Sequence, residues 1–88
     1  MYHDRYVEEW HEYFAKNVPE NFKIRVLKKI QAILNYPQKR HLSGKARFFV
    51  DDVGQYRITY RIFEQENQVR FYFVGDHKEY EKWYSQFF

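Results

Sequence analysis

Arginine at positions 57, 61 and 70 and histidine at position 77 are the residues of this 88-residue chain whose types and spacing could do chemistry. A guanidinium presents a planar fork of donors that matches a phosphate two bonds at a time. An imidazole exchanges a proton near neutral pH, which suits general acid–base work. His77 stands just after an expected strand, next to other polar groups, in Val74-Gly75-Asp76-His77-Lys78-Glu79-Tyr80, whereas His3, His11 and His41 stand in no constellation. A cap on a following helix, or a polar surface slot, would account for His77 equally well. His11-Glu12 begins like a zinc-protease helix, but the residue four positions on is Ala15, so that motif fails. No cluster has metal-ligand spacing, and there is no glycine-rich phosphate loop or nucleophilic-serine elbow. No metal or cofactor is expected.

These residues need elements to position them. Tyr6, Trp10, Tyr13 and Phe14 recur at helical spacing and predict a helix over about residues 4–16. Asn17-Val18-Pro19 ends it, and Pro19 with Glu20 suits the start of a second helix running to about Asn35. Phe22, Val26, Leu27, Ile30, Ile33 and Leu34 form the apolar stripe of that second helix, which Pro37 stops. From Lys45 the period changes from helical to alternating. Strands are expected at about Lys45–Asp51, Tyr56–Phe63 and Gln68–Val74, with a turn at Asp52-Val53-Gly54-Gln55. Gly44, Gly54 and Gly75 fall at strand boundaries. A short strand over about residues 1–3 and an aromatic helix over about Lys78–Gln86 complete the reading. The expected fold class is α+β: an N-terminal αα-hairpin packed on a C-terminal antiparallel sheet, in one domain spanning residues 1–88.

Alternation assigns faces. Tyr56, Ile58, Tyr60 and Ile62 share one face with Val69, Phe71 and Phe73, and with Ala46, Phe48 and Val50 of the first strand. The opposite face then presents Lys45, Arg47, Arg57, Arg61, Arg70 and Tyr72. Cations gathered on one open face call for a counter-anion, and Tyr72 offers a ring on which a base could stack. Basic residues also decorate exposed strands simply to block edge pairing.

Charge and composition narrow the partners. The net charge is +3, but residues 23–47 hold eight bases and no acid, while the segments on either side are net acidic. Such a block points to a polyanion or an acidic protein. Nine tyrosines and nine phenylalanines exceed what one small core needs, which leaves rings for binding. There is no cysteine, which weakly favours the cytoplasm, and no apolar run near the ~20 residues of a membrane span. The N-terminal Met1-Tyr2-His3-Asp4-Arg5 carries no apolar signal-peptide region.

The order of parts resembles a known family. An αα-hairpin, then HLSG, a strand, GQYRITYRI, and a strand ending VGDHKEY is similar to the RelE/ParE superfamily of type II toxins. The match covers residues 41–80 well and the helical hairpin in outline, and GDHKEYEKW resembles the ending of RelE- and HigB-type members. The resemblance implies a toxin silenced by a small antitoxin. RelE-type members cut messenger RNA on the ribosome, and ParE-type members poison DNA gyrase. For the RelE type it implies metal-independent attack of a ribose 2′-hydroxyl on the adjacent phosphate. Arg57 then stands at the phosphate-holding arginine, Arg47 with Lys45 at strand lysines, His77 at a basic proton-transfer position and Tyr80 at a C-terminal tyrosine. Arg61, Arg70 and Tyr72 take supporting RNA contacts. Gln55 is inserted between Gly54 and Tyr56, and Phe49 replaces a second lysine, which points to a histidine-centred variant. A gyrase poison without nuclease activity, or a plain protein-binding module, uses the same fold.

Overall fold

The computed structural model describes residues 1–39, 42–43 and 48–87. In chain order it contains β1 (His3–Tyr6), α1 (Trp10–Asn17), α2 (Glu20–Asn35), β2 (Leu42–Ser43), β3 (Phe48–Val53), β4 (Tyr56–Phe63), β5 (Gln68–Asp76) and α3 (His77–Tyr84). The strands form one mixed sheet in the order β1-β5-β4-β3-β2, so the class is α+β. All pairs are antiparallel except β1 with β5, which is parallel. Gly44, Lys45, Ala46 and Arg47 lie outside the described residues, as does the expected start of the first long strand.

The N-terminus departs from the helical expectation. Residues 3–6 are a strand, and α1 begins only at Trp10. Tyr6 mimics a helical stripe in sequence because it lies four residues before Trp10. Its ring instead stacks on Phe71 at 5.3 Å, and the Val7 N–H donates to the Phe71 carbonyl at 3.1 Å. The backbone of β1 thereby covers an edge of β5 that would otherwise stand unpaired.

The αα-hairpin packs where its stripe predicts. Val26, Ile30, Ile33 and Leu34 of α2 are buried against Ile58, Tyr60, Val69, Phe71 and Val74 of the sheet. Leu27 does not join them: it is 50% exposed, because positions 26, 30, 33 and 34 already close the apolar arc and Leu27 falls on its flank. The Tyr60 hydroxyl donates to the Pro37 carbonyl at 2.9 Å, which satisfies a buried polar group and ties the end of α2 to β4.

Alternation fails at one place in β5, with consequences for the opposite face. Thr59 pairs with Phe73 while Tyr60 pairs with Phe71, so Tyr72 is an extra residue opposite one step of β4. A bulge of this kind reverses which side later residues face. Phe73 therefore leaves the α2 side, contrary to expectation, and joins a second aromatic cluster with Phe48, Tyr80 and Trp83. Phe48 and Val50, expected on the α2 side, also lie on this second side, because the register pairs Phe49 with Tyr60 and turns Phe49 toward α2 instead. The second face of the sheet is thus not open as alternation alone implies. The rings of α3 fold back and cover its centre.

Candidate functional site

Asp76 is the residue that starts α3. Its carboxylate accepts from the Glu79 N–H at 2.8 Å, and the Glu79 side chain accepts from the Asp76 N–H at 2.7 Å, a reciprocal cap. His77 is therefore not the cap. It is the first helical residue and is exposed. Gly75, just before, lies inside β5 and not at its boundary. A Cβ there would come within 2.7 Å of the Phe73 ring and 3.0 Å of both Asn17 and Glu79, so the packing of these side chains over the strand needs glycine.

β3 runs two residues further than its sequence predicts, to Val53, which leaves Gly54-Gln55 as a two-residue hairpin turn. Gly54 takes φ +57° at the first turn position, as in a type II′ hairpin. This register sets Asp52 directly opposite Arg57, and Arg57 in turn opposite Gly75. Asp52, Arg57 and Gly75 form one row across three strands, with His77 two residues beyond it.

The Arg57 guanidinium is held on an edge and a face. Its Nε–H donates to Asp52 Oδ1 at 3.0 Å, and its plane lies 4.8 Å from the centre of the Tyr80 ring. The bond to Asp52 raises the pKa of Arg57 against the opposing pull of partial burial, so the charge is permanent. Tyr80 is itself buried, stacked on Tyr84 at 5.4 Å and packed with Phe73 and Trp83. An arginine fixed in this way is pre-organised for an oxyanion, since little side-chain freedom remains to be lost.

The other arginines occupy ring platforms further along the same face. Arg61 lies over Phe48 at 4.2 Å and over Tyr72 at 5.3 Å. Arg70 lies over Phe63 at 4.4 Å and donates to Gln68 at 3.1 Å. Arg61 and Arg70 are register partners, and each spreads its charge over its own aromatic face. Tyr72 is half-buried, edge-on to Phe48 at 5.1 Å beneath Arg61, so it is a support and not an open stacking platform. The structure thus gathers Arg57, Tyr80 and the start of α3, sets Arg61, Arg70 and Tyr72 apart, and leaves Lys45 and Arg47 outside its described residues. Sequence reasoning missed Asp52, which it assigned to a turn, and the platforms Phe48 and Phe63. Counting the turn as the two residues of a tight hairpin would have paired Asp52 with Arg57.

Two grooves flank the site. One, of about 250 Å³, runs between α1 and α3 over Tyr13, Phe73 and Trp83. The other, of about 390 Å³, lies between α2 and the hairpin and is lined by Arg25, Lys28, Lys29 and Asp52. Among the described residues there is no group of three or more metal-ligating side chains and no helix long and apolar enough to cross a membrane.

No family model matches the chain, and no curated protein matches its sequence. Solved structures do match. A chain of the intact Escherichia coli RelBE toxin–antitoxin complex superposes with a TM-score of 0.76 at 19% identity, over 86% of this chain and 96% of that one. The isolated E. coli RelE toxin gives 0.75 at 17% identity over 100% of both chains. A chain of the RelBE2 toxin–antitoxin complex of Mycobacterium tuberculosis gives 0.76 at 20% identity, over 86% and 91%. Fold and sequence pattern agree: this chain has the fold of the RelE toxins.

Proposed function

We propose that the chain is the toxin of a type II toxin–antitoxin pair and that it cuts messenger RNA on the ribosome without a metal. The observation that carries this reading is Arg57, clamped between Asp52 and the Tyr80 ring beside the exposed His77. A guanidinium held on one edge and one face is suited to the scissile phosphate and to the charge that develops on it. In this reading His77 moves a proton, and Tyr80 orients the arginine that meets the substrate. Arg47, with Lys45, assists in stabilising the developing charge, and Arg61 and Arg70 supply contacts to the RNA backbone. The antitoxin fits the groove between α1 and α3, where Phe73, Trp83 and Tyr13 line a channel for an amphipathic helix.

The test is purified protein added to a translation reaction with a defined messenger. Cleavage at a codon in the ribosomal A site is expected. Arg57→Ala and His77→Ala should each slow it on the order of 10²-fold or more. Intact messenger at stoichiometric protein overturns the proposal. So does inhibition of DNA gyrase supercoiling that survives His77→Ala, which would assign the fold to the ParE type.

A further inference from the structure

The reaction moves two protons, one off the attacking 2′-hydroxyl and one onto the departing 5′-oxygen. His77 follows β5, the strand on one side of Arg57. We propose, on the strength of the ribonuclease reading above, that Asp52 is the proton acceptor on the other side and His77 the donor.

The geometry supports this in three ways. Asp52 Oδ1 bonds Arg57 Nε at 3.0 Å, so a phosphate on the rest of the guanidinium lies beside the carboxylate. Its side chain is 48% exposed, which leaves it open to a ribose while that bond persists. The β3–β4 register fixes its place, one strand from Arg57 and two from Gly75, where the chain turns into His77. Two strand spacings, about 10 Å, separate Asp52 from Gly75 at the backbone, with Arg57 on the strand between them. In-line displacement needs its acceptor and donor on opposite sides. Asp51, the adjacent acid, points to the other face, is buried and meets Lys29 at 3.7 Å, so it has no access to substrate.

In the step itself the Asp52 carboxylate takes the 2′-hydroxyl proton as the 2′-oxygen–phosphorus bond forms. The bond from phosphorus to the 5′-oxygen breaks, and that oxygen takes a proton from the His77 imidazolium. A 2′,3′-cyclic phosphate and a 5′-hydroxyl leave. Exchange with solvent then restores both side chains, and Arg57 offsets the charge on the non-bridging oxygens throughout.

Single-turnover cleavage on messenger-programmed ribosomes, measured against toxin concentration, separates the maximal rate from the half-saturating concentration. Asp52→Asn keeps an oxygen for Arg57 but cannot accept the proton. It should lower the maximal rate about 10²- to 10³-fold and change the half-saturating concentration less than about 3-fold. Asp52→Glu should recover at least about tenfold of the lost rate. Three results overturn the assignment: Asp52→Asn keeping most of its rate, a loss that appears as weaker saturation with the maximal rate intact, and a variant that no longer folds. The second would make Asp52 a positioning residue for Arg57, and the third a structural one. Loss of cleavage in Arg57→Ala and His77→Ala but not in Asp52→Asn would sink this inference and leave the ribonuclease reading standing. A wild-type chain that cuts nothing removes both.

Discussion

The two faces of the sheet are built on different principles. The face under α2 is a continuous packed layer in which Val26, Ile33, Ile58, Tyr60, Val69, Phe71 and Val74 have no exposed surface. The face under α3 is a mosaic: Phe48, Phe73, Tyr80 and Trp83 are buried, while Arg57, Arg61 and Arg70 lie half-buried over rings. Burial of aliphatic area holds the first face together, and this term is large and non-directional. The second keeps cations close to apolar surface without removing them from solvent, as an anion-binding surface requires. Stability is concentrated on one side of the sheet and charged chemistry on the other.

Substitutions break or sharpen this contrast. The largest loss should come from the α2 face: Ile33→Ala removes a fully buried side chain and should cost about 2–5 kcal/mol, read from the urea midpoint. Its cleavage rate per folded molecule should be unchanged. On the α3 face Gly75→Ala should cost about 1–3 kcal/mol by overpacking against Phe73, Asn17 and Glu79. Because Glu79 belongs to the cap that starts α3, the substitution should also slow cleavage, and an unchanged rate would uncouple the helix from the site.

The smallest effect concerns neither face but the sheet's edge. Tyr2 donates to Glu64 at 2.6 Å, and Gln38 donates to Glu64 at 3.0 Å and to the Tyr2 hydroxyl. Both bonds, the one from Tyr2 first, lower the Glu64 carboxyl below its ordinary value of 4.5. The unfolded chain then binds this proton more readily than the folded one. The stabilisation is full above the ordinary value and is lost as the pH falls through the lowered one. Unfolding midpoints of Glu64→Gln should therefore vary less with pH between about 5 and 3 than those of the parent. Parallel pH curves would show that the cluster contributes nothing.

Much of the fold was legible in the sequence. The change of period after residue 44 separated helices from strands, and β4 falls at Tyr56–Phe63 as expected. The bulge at Tyr72 was not legible, because no residue type marks it and it exists only as a mismatch between two strands. Without it Phe73 was assigned to the wrong face, and that face was read as bare. A short strand was expected over residues 1–3, but β1 runs from His3 to Tyr6, and its later part was read as helix because its aromatic spacing imitates one. At the site, Arg57 and Tyr80 were brought together, whereas Asp52 escaped notice through a two-residue error in the end of β3. Small errors of register move whole side chains across a sheet, so sites suffer from them more than folds do.

The parallel pairing of β1 with β5 also bears on how the chain assembles. His3 lies beside Gln68 and Tyr6 beside Phe71, so almost the whole chain must be synthesised before its first strand has a partner. Closing so long a loop is entropically costly and is repaid only once β4 and β5 have paired. The αα-hairpin and the β3–β4–β5 meander rest on local contacts, whereas β1 gains its partner only through this long closure. The outer edge of β5 is thus closed by the strand most distant from it in sequence.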